Sequence, residues 1–327
     1  MRHNRSIGVK VVFLGLLVLL LFGNYSCEAS LPKISNLDYT QTTPIHPKRL
    51  VVLESDFFED VLALGIIPAG APKKNVSYLQ QIKGISPTTW QNIQETGAPW
   101  LPVNLENILA MKPDMILTSK SRQEIYPLLS KIAPTILIDP KSDYPDWKTV
   151  FYLVADALNK KDKAVEILTY YQTRLQKFRK DMGTRLASTQ VSIVYLKTEG
   201  SIFLFNKEFF GGKIVEKIGL SRPPSQTVDK TIIAKMFPGY GSIYLLSWEK
   251  FSDADGDVMF VISDDIRKGN TAWEQIRTEP LWSKLKVVQQ HKVHQVNPYW
   301  FGSGPIAANQ VLDDLEKYVL YQNEGIK

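Results

Sequence analysis

Between Asp162 and Met182 the chain runs twenty-one residues without a proline or a glycine, and Val165, Leu168, Tyr171, Leu175, Phe178 and Met182 fall in helical register. At about 1.5 Å per residue such a helix is roughly 30 Å long, the width of a small domain. A single helix of that length, set in the middle of a 327-residue chain, must either lie along one large body or join two. The residues on either side decide between these. Both flanks alternate short apolar runs with amphipathic stretches, which is the pattern of α/β lobes built on mostly parallel sheets. The expected fold is therefore two α/β lobes joined by one long helix over residues 160–183, with a ligand cleft between the lobes. The first lobe takes residues 48–159 and the second residues 184–327.

In the first half, KRLVVLE (Lys48 to Glu54) reads as a buried strand. Asp56 to Leu64 reads as a helix with Phe57, Val61 and Leu64 on one face and Gly65 as its stop. IIPAGAP (Ile66 to Pro72) is a second strand, with prolines suited to an edge or a strand end. Asn104 can cap a helix bearing Leu105, Ile108 and Leu109, and Pro113 forbids its continuation. Met115 to Thr118 is a strand, Glu124 to Lys131 a helix, and TILID (Thr135 to Asp139) another strand. The second half restarts the alternation. VSIVYL (Val191 to Leu196), SIFLF (Ser201 to Phe205), SIYLL (Ser242 to Leu246), VMFVIS (Val258 to Ser263) and KVHQV are strands. Phe209 to Ile218 is a helix stopped by Gly219, and a last helix runs from Pro305 to Tyr321.

The N-terminus carries Arg2, Arg5 and Lys10 ahead of the apolar run VVFLGLLVLLLF (Val11 to Phe22). Spanning a bilayer takes about 20 residues, so this shorter run reads as an export signal over residues 1–26. Cys27 is the only cysteine, so it has no internal disulfide partner. Its position resembles the acylated cysteine of a bacterial lipoprotein, although Asn24 stands where such sites usually carry Leu; ordinary cleavage after Ala29 is the alternative. Either way the mature chain is exported. Residues 27–47 read as a flexible linker. The formal charge of +6 falls to +3 once Arg2, Arg5 and Lys10 are removed. The remaining Lys and Arg are dispersed among acids, which argues against a nucleic-acid partner.

Four stretches carry a family resemblance: KRLVVLESDFFEDVLALGIIPAGAP, NLENILAMKPDMILTSKSR, GGKIVEKIGLSRP and EPLWSKLKVVQQHKVHQV. Together they resemble the iron-siderophore and vitamin B12 class of periplasmic substrate-binding proteins, in its ferric-siderophore and ferric-citrate branch, from about Lys48 to Tyr321. The resemblance implies a receptor for an ABC importer, a monomer that works without a cofactor, is not an enzyme and closes only slightly on its ligand. It also implies one exposed acid per lobe that docks on basic residues of the permease. Glu106, in N-L-E, and Glu249, in SWEKFSDADGDVMFV, match these positions.

A ferric siderophore presents oxygens wrapped around a hard ion, and planar bidentate donors suit those oxygens best. Arg122 is the expected anchor, with Lys120 and Ser121 assisting, because all three follow a strand on the edge that should face the cleft. Ser55 and Asp56 end the first strand, and Trp100 sits on a proline-held loop. Lys197 and Thr198, Asn206 and Trp248 end strands of the second lobe. Tyr299 and Trp300 lie in NPYWFGSGP; aromatic rings give broad contact at little entropic cost.

Several other patterns read as structural. His291 and His294, placed together on a strand, would point to opposite faces, and no metal-ligand set is evident. DADGDV (Asp253 to Val258) lacks the sixth-position glycine and the twelfth-position glutamate of a calcium loop and reads as a turn. Gly302 to Gly304 reads as the start of the last helix, and no Ser-His-Asp set is identifiable. The competing readings are a corrinoid or haem receptor, which an apolar cleft without a convergent Arg would favour, and an extracytoplasmic enzyme, which a buried His or carboxylate pair in the cleft would favour.

Overall fold

A computed structural model describes residues 46–73, 76–81, 85–98, 101–140, 146–197, 200–236, 243–263 and 271–321. The signal region, Cys27, Trp100 and Thr198 lie outside these residues. The first lobe runs β1 (Leu50–Val52), α1 (Ser55–Ala63), β2 (Gly70–Ala71), α2 (Pro87–Asn92), β3 (Gln94–Glu95), α3 (Leu105–Ala110), β4 (Met115–Ser119), α4 (Tyr126–Ile132), β5 (Thr135–Ile138) and α5 (Trp147–Ala157). The linking helix is α6 (Lys161–Met182). The second lobe follows with β6 (Val191–Leu196), β7 (Ile202–Phe205), α7 (Phe210–Ile218), α8 (Lys230–Met236), β8 (Ile243–Leu246), β9 (Val258–Ser263), α9 (Thr271–Thr278), α10 (Lys286–Gln289), β10 (Val293–Val296) and α11 (Pro305–Leu315).

Each lobe is built on a five-stranded sheet. The first has the order β3-β2-β1-β4-β5 and is parallel throughout. The second has the order β10-β9-β6-β7-β8, with β7 antiparallel to both neighbours. Strand residues alternate between two buried faces, as a doubly covered sheet requires. Leu50 and Val52 join one apolar cluster while Val51 and Leu53 join another; Phe260 and Ile262 face one way while Met259 and Val261 face the other. The larger cluster runs without a break from Val52 of the first sheet, through Phe151 of α5 and Phe178 of α6, to Ile193 of the second.

The long helix spans 22 residues. Its buried stripe is Ala164, Tyr171, Leu175, Phe178 and Met182. Val165, expected in that stripe, is exposed, while Ala164 beside it is fully buried. Two arginines fasten this helix to its neighbours. Arg179 donates to the carbonyls of Lys217 and Ile218, the last turn of α7, which satisfies oxygens the helix leaves open. Arg174 donates to Asn309 O and Oδ1 (3.2 and 3.1 Å), to Asp313 Oδ1 (2.7 Å) and to Glu316 Oε2 (2.9 Å). The last helix, expected from about Pro305 to Tyr321, is α-helical to Leu315 and continues as a π-helical turn over Glu316–Leu320.

The side chain of Arg174 is only 13% exposed and carries four donor contacts. Arg174→Ala is expected to lower stability by about 2 kcal/mol, read as a lower urea midpoint with an unchanged slope.

Candidate functional site

Parallel strands deliver their C-terminal ends to one edge of each sheet, and ligands bind off that edge. In the first lobe the edge carries Glu54 and Ser55 after β1, the Ser119–Lys120 step after β4, and Asp139 after β5. In the second it carries Lys197 after β6, Trp248 after β8 and the turn Pro298–Phe301 after β10. The edges meet where Asp56, in the first turn of α1, hydrogen-bonds the side chain of Ser303. Asp56 is open to solvent yet walled in by protein, which is a crevice position. Burial pushes its carboxyl up, and the Ser303 bond offsets part of that rise.

The hydroxyl-rich tip after β4 is organised around a carboxylate. Glu54 Oε1 accepts from Arg122 Nε (2.9 Å), Thr118 Oγ1 (3.0 Å) and Ser119 Oγ (3.2 Å). Ser121 and Ser119 share a hydrogen bond through their hydroxyls. Residues Lys120–Ile125 form a 3-10 turn, which brings Arg122 back over the end of β1, and the Arg122 side chain is only 11% exposed. Lys120 is more open and pairs with Asp139 at 2.8 Å. The basic residues at the tip therefore carry acids with them.

In the second lobe, Lys197 Nζ lies 5.2 Å from the ring centre of Phe203. Tyr195 and Phe203 are cross-strand partners on one face, and the half-buried Phe301 meets Tyr195 edge-on at 4.8 Å. Trp248 is half-buried and packs edge-on against Phe251. Two expected cleft residues are used elsewhere. Asn206 is fully buried, accepts from Glu208 N and donates to Val228 O. Because β7 runs antiparallel, its end lies at the opposite edge of the sheet from Lys197. Trp300 is also fully buried, packed on Phe260 at 4.6 Å with Nε1 donating to Asp314. Tyr299 is half-buried and donates to the same Asp314 oxygen. Ser55, half-buried, has an enclosed hydroxyl with no hydrogen-bond partner.

Beneath Asp56, two more carboxylates of α1 meet the start of α11. Glu59 accepts from Ala307 N (2.7 Å), Ser303 N (3.3 Å) and Tyr78 OH (2.7 Å). It thus caps a helix that begins more than two hundred residues later. Asp60 is fully buried and neither carboxyl oxygen has a hydrogen-bond partner; burial, then Glu59 and Asp56, push its carboxyl well up. Gly304 is required here, since a Cβ would stand 2.8 Å from Glu59 and 2.9 Å from Asp60. This buried acid pair has the composition expected of an enzyme, but Asp60 has no path to solvent and Glu59 is committed to capping.

Glu106 and Glu249 are both exposed. Glu106 lies in the first turn of α3, after β3, and Glu249 in the turn Trp248–Ala254, after β8. Since β3 and β8 are each the outermost strand of their sheets, the two acids stand at the far margins of the cleft side, one per lobe.

The sequence matches the Periplasmic binding protein family over residues 50–299. The chain belongs to this family of binding proteins. It is 31% identical to the probable siderophore-binding lipoprotein YfiY of Bacillus subtilis, over 97% of this chain and 99% of the relative. It is 29% identical to the Fe(3+)-citrate-binding protein YfmC of the same organism, over 77% and 73%. Among solved structures, the siderophore periplasmic binding protein from the fuscachelin gene cluster of Thermobifida fusca superposes with a TM-score of 0.68, at 23% identity, over 85% of this chain and 98% of that one. FeuA of Bacillus subtilis with ferri-bacillibactin gives 0.65 at 22% identity, over 89% and 98%. These likenesses establish the two-lobed fold, and the family places the chain outside the cytoplasm.

The stretches that carry the family pattern turn out to be mostly scaffold. Asp114, of K-P-D, accepts from the backbone N–H groups of Lys48 and Arg49, and Arg49 in turn caps the Met111 carbonyl at the end of α3. In GGK, a Cβ on Gly211 would strike Trp300 at 2.7 Å, and one on Gly212 would strike Asn206 O at 2.2 Å. The arginine of GLSRP, Arg222, is buried and donates to Phe205 O and Asn206 O. His291 lies in a turn with φ 57° rather than on the strand with His294, which stacks on Tyr318 at 4.0 Å. Burial and nearby Lys317 hold His294 at about 4. Among the described residues no three His, Cys, Asp or Glu are grouped to hold a metal ion. Asp255 and Asp257, in the turn read from DADGDV, accept from Lys286 N, Val287 N and Gln190 N.

The sequence reading passed over Glu54, Glu59 and Asp60. Their only signal was an acid directly after a buried strand and two adjacent acids on the apolar face of α1. Because the folded-state carboxyl of Asp60 is raised, its contribution to stability is full below the ordinary range near 3.8 and is lost as pH rises through the folded value. Asp60→Asn is therefore expected to be more stable than the wild type at pH 8, with the gap closing toward pH 4. Urea unfolding at the two pH values measures this.

Proposed function

We infer that this chain is the solute-binding component of an ABC importer that captures a ferric siderophore of citrate or hydroxamate type and delivers it to the permease. The observation that carries this reading is the near full-length similarity to a relative named as a siderophore-binding lipoprotein, supported by a second named for ferric citrate. The metal arrives already wrapped, so the protein needs donors for ligand oxygens rather than metal ligands of its own. That agrees with a cleft edge carrying Arg122, Lys120, Ser121 and Lys197.

Arg122 is the anchor in this reading. Glu54 grips its Nε edge and fixes the guanidinium plane before the ligand arrives, so less rotamer entropy is lost on binding. Lys120 and Ser121 flank it, Ser55 and Trp100 complete the first-lobe side, and Lys197, Trp248 and Tyr299 serve the second. Glu106 and Glu249 dock on the permease, and the chain works as a monomer. Cys27 carries a lipid that holds the mature protein at the outer face of the cytoplasmic membrane.

Tryptophan fluorescence titration with a panel of ferric siderophores selects the ligand. Arg122→Ala is then expected to weaken the bound chelate by at least tenfold, the scale of one charge-assisted contact, whereas unchanged affinity for every chelate would remove Arg122 from the site. In the same experiment the double reversal Glu106→Lys, Glu249→Lys is expected to leave titration unchanged while abolishing cellular uptake of the labelled chelate. Cys27→Ser is expected to release the protein from the membrane fraction and to stop incorporation of radiolabelled fatty acid. Retention with full labelling would show that the anchor lies elsewhere.

A further inference from the structure

Beside Glu249 the surface is hollow. A groove of about 490 Å³ runs between the edge strand β8 and the segment that includes α8, lined chiefly by Val228, Ile233, Leu245 and Leu246. Leu245 is 50% exposed, and Ile232, next to Ile233, is 49% exposed. Ser247 lines the groove and also hydrogen-bonds the Glu249 carboxylate, so the acid stands on the groove's rim. The polar groups at the rim are Ser225, Asp253 and Lys250, which together with Glu249 leave it net acidic.

The first lobe repeats this composition. Leu109 lies three residues after Glu106 on the same face of α3 and is 59% exposed; Leu101, on the approach to that helix, is 54% exposed. Large apolar side chains this open are few on the described surface, and Leu109 and Leu245 are placed near the two docking acids, one per lobe. An exposed acid alone gives a contact worth little in salt. An apolar side chain seated in a preformed hollow next to it supplies the salt-resistant part of an interface, in the way buried hot spots do inside a polar rim.

We propose that each docking acid works with an adjoining apolar patch, and that the groove along β8 receives a large apolar side chain of the permease next to the basic residue that pairs with Glu249. This rests on the permease-docking reading above and names the chemistry of that partner surface: a cation flanked by an exposed hydrocarbon side chain. The ion pairs then steer and orient the complex while the groove and the Leu109 patch hold it.

The test uses the ligand-loaded full-length chain and the cognate permease–ATPase complex in lipid nanodiscs, with affinity read at 0.05 and 0.5 M NaCl. Leu245→Ser removes the groove's exposed wall and Leu245→Trp fills the hollow; the position tolerates both changes because half of Leu245 already faces water. Each variant is expected to bind the permease about tenfold more weakly at both salt concentrations. Glu249→Gln, in contrast, is expected to weaken binding chiefly at low salt. Siderophore titration of the two leucine variants should match the wild type and shows that they are folded. If both variants hold the permease as tightly as the wild type at 0.5 M NaCl, the groove is not part of the interface. If Glu249→Gln also has no effect at low salt, the docking reading itself falls, and a wild-type chain that binds no ferric chelate would overturn the siderophore reading independently.

Discussion

The last helix is held at both ends by charges from other parts of the chain. At its start, the Glu59 carboxylate of the first lobe accepts the N–H of Ala307, where the open donors and the positive end of the helix dipole favour an anion. At its other end, Arg174 of the linking helix gathers Asp313 and Glu316. A helix positioned in this way by the first lobe and the linking helix fixes the Gly302–Gly304 turn that precedes it, and that turn brings Ser303 to Asp56 at the floor of the cleft. The separation of the two cleft edges follows from these contacts.

The apolar core strengthens the same constraint. One cluster runs through α5, α6 and α11 from one sheet to the other. Lobes that share a close-packed core have no soft hinge between them, since packed interiors do not deform continuously. Lys217, on α7, adds an ion pair to Asp146 at the start of α5. Burial would raise the Asp146 carboxyl, but Lys217 and Lys148 more than offset it and hold it down. A protein of this build presents a nearly finished cleft, with Glu106 and Glu249 at its margins, one per lobe.

The charge balance at the cleft has a physical reason. An arginine left alone in a crevice would adopt many rotamers and pay desolvation without a partner. Glu54, itself held by Thr118 and Ser119, keeps Arg122 in one place, at the cost of part of its positive field. Basic residues at such a tip therefore read as bare anchors in one dimension and prove to be pre-positioned pairs in three.

Local signals in the sequence determined the elements. The bounds of β6 and β9, the Asn104 cap, the Gly219 stop with φ 98° and the long helix were all legible, because strand period, capping and backbone freedom act over a few residues. The lobes followed from the order of those elements, and the family from the four stretches that resemble it. Only the tertiary structure decided which side chains serve the cleft. Trp300 looked available on a glycine- and proline-rich loop, yet the helix pair α7 and α11 closes over it; Asn206 ended a strand, yet that strand runs antiparallel and carries it to the far edge. Glu59 and Arg174 meet their partners 248 and 139 residues away. Such contacts depend on how strands pair and helices pack, and a linear pattern contains neither.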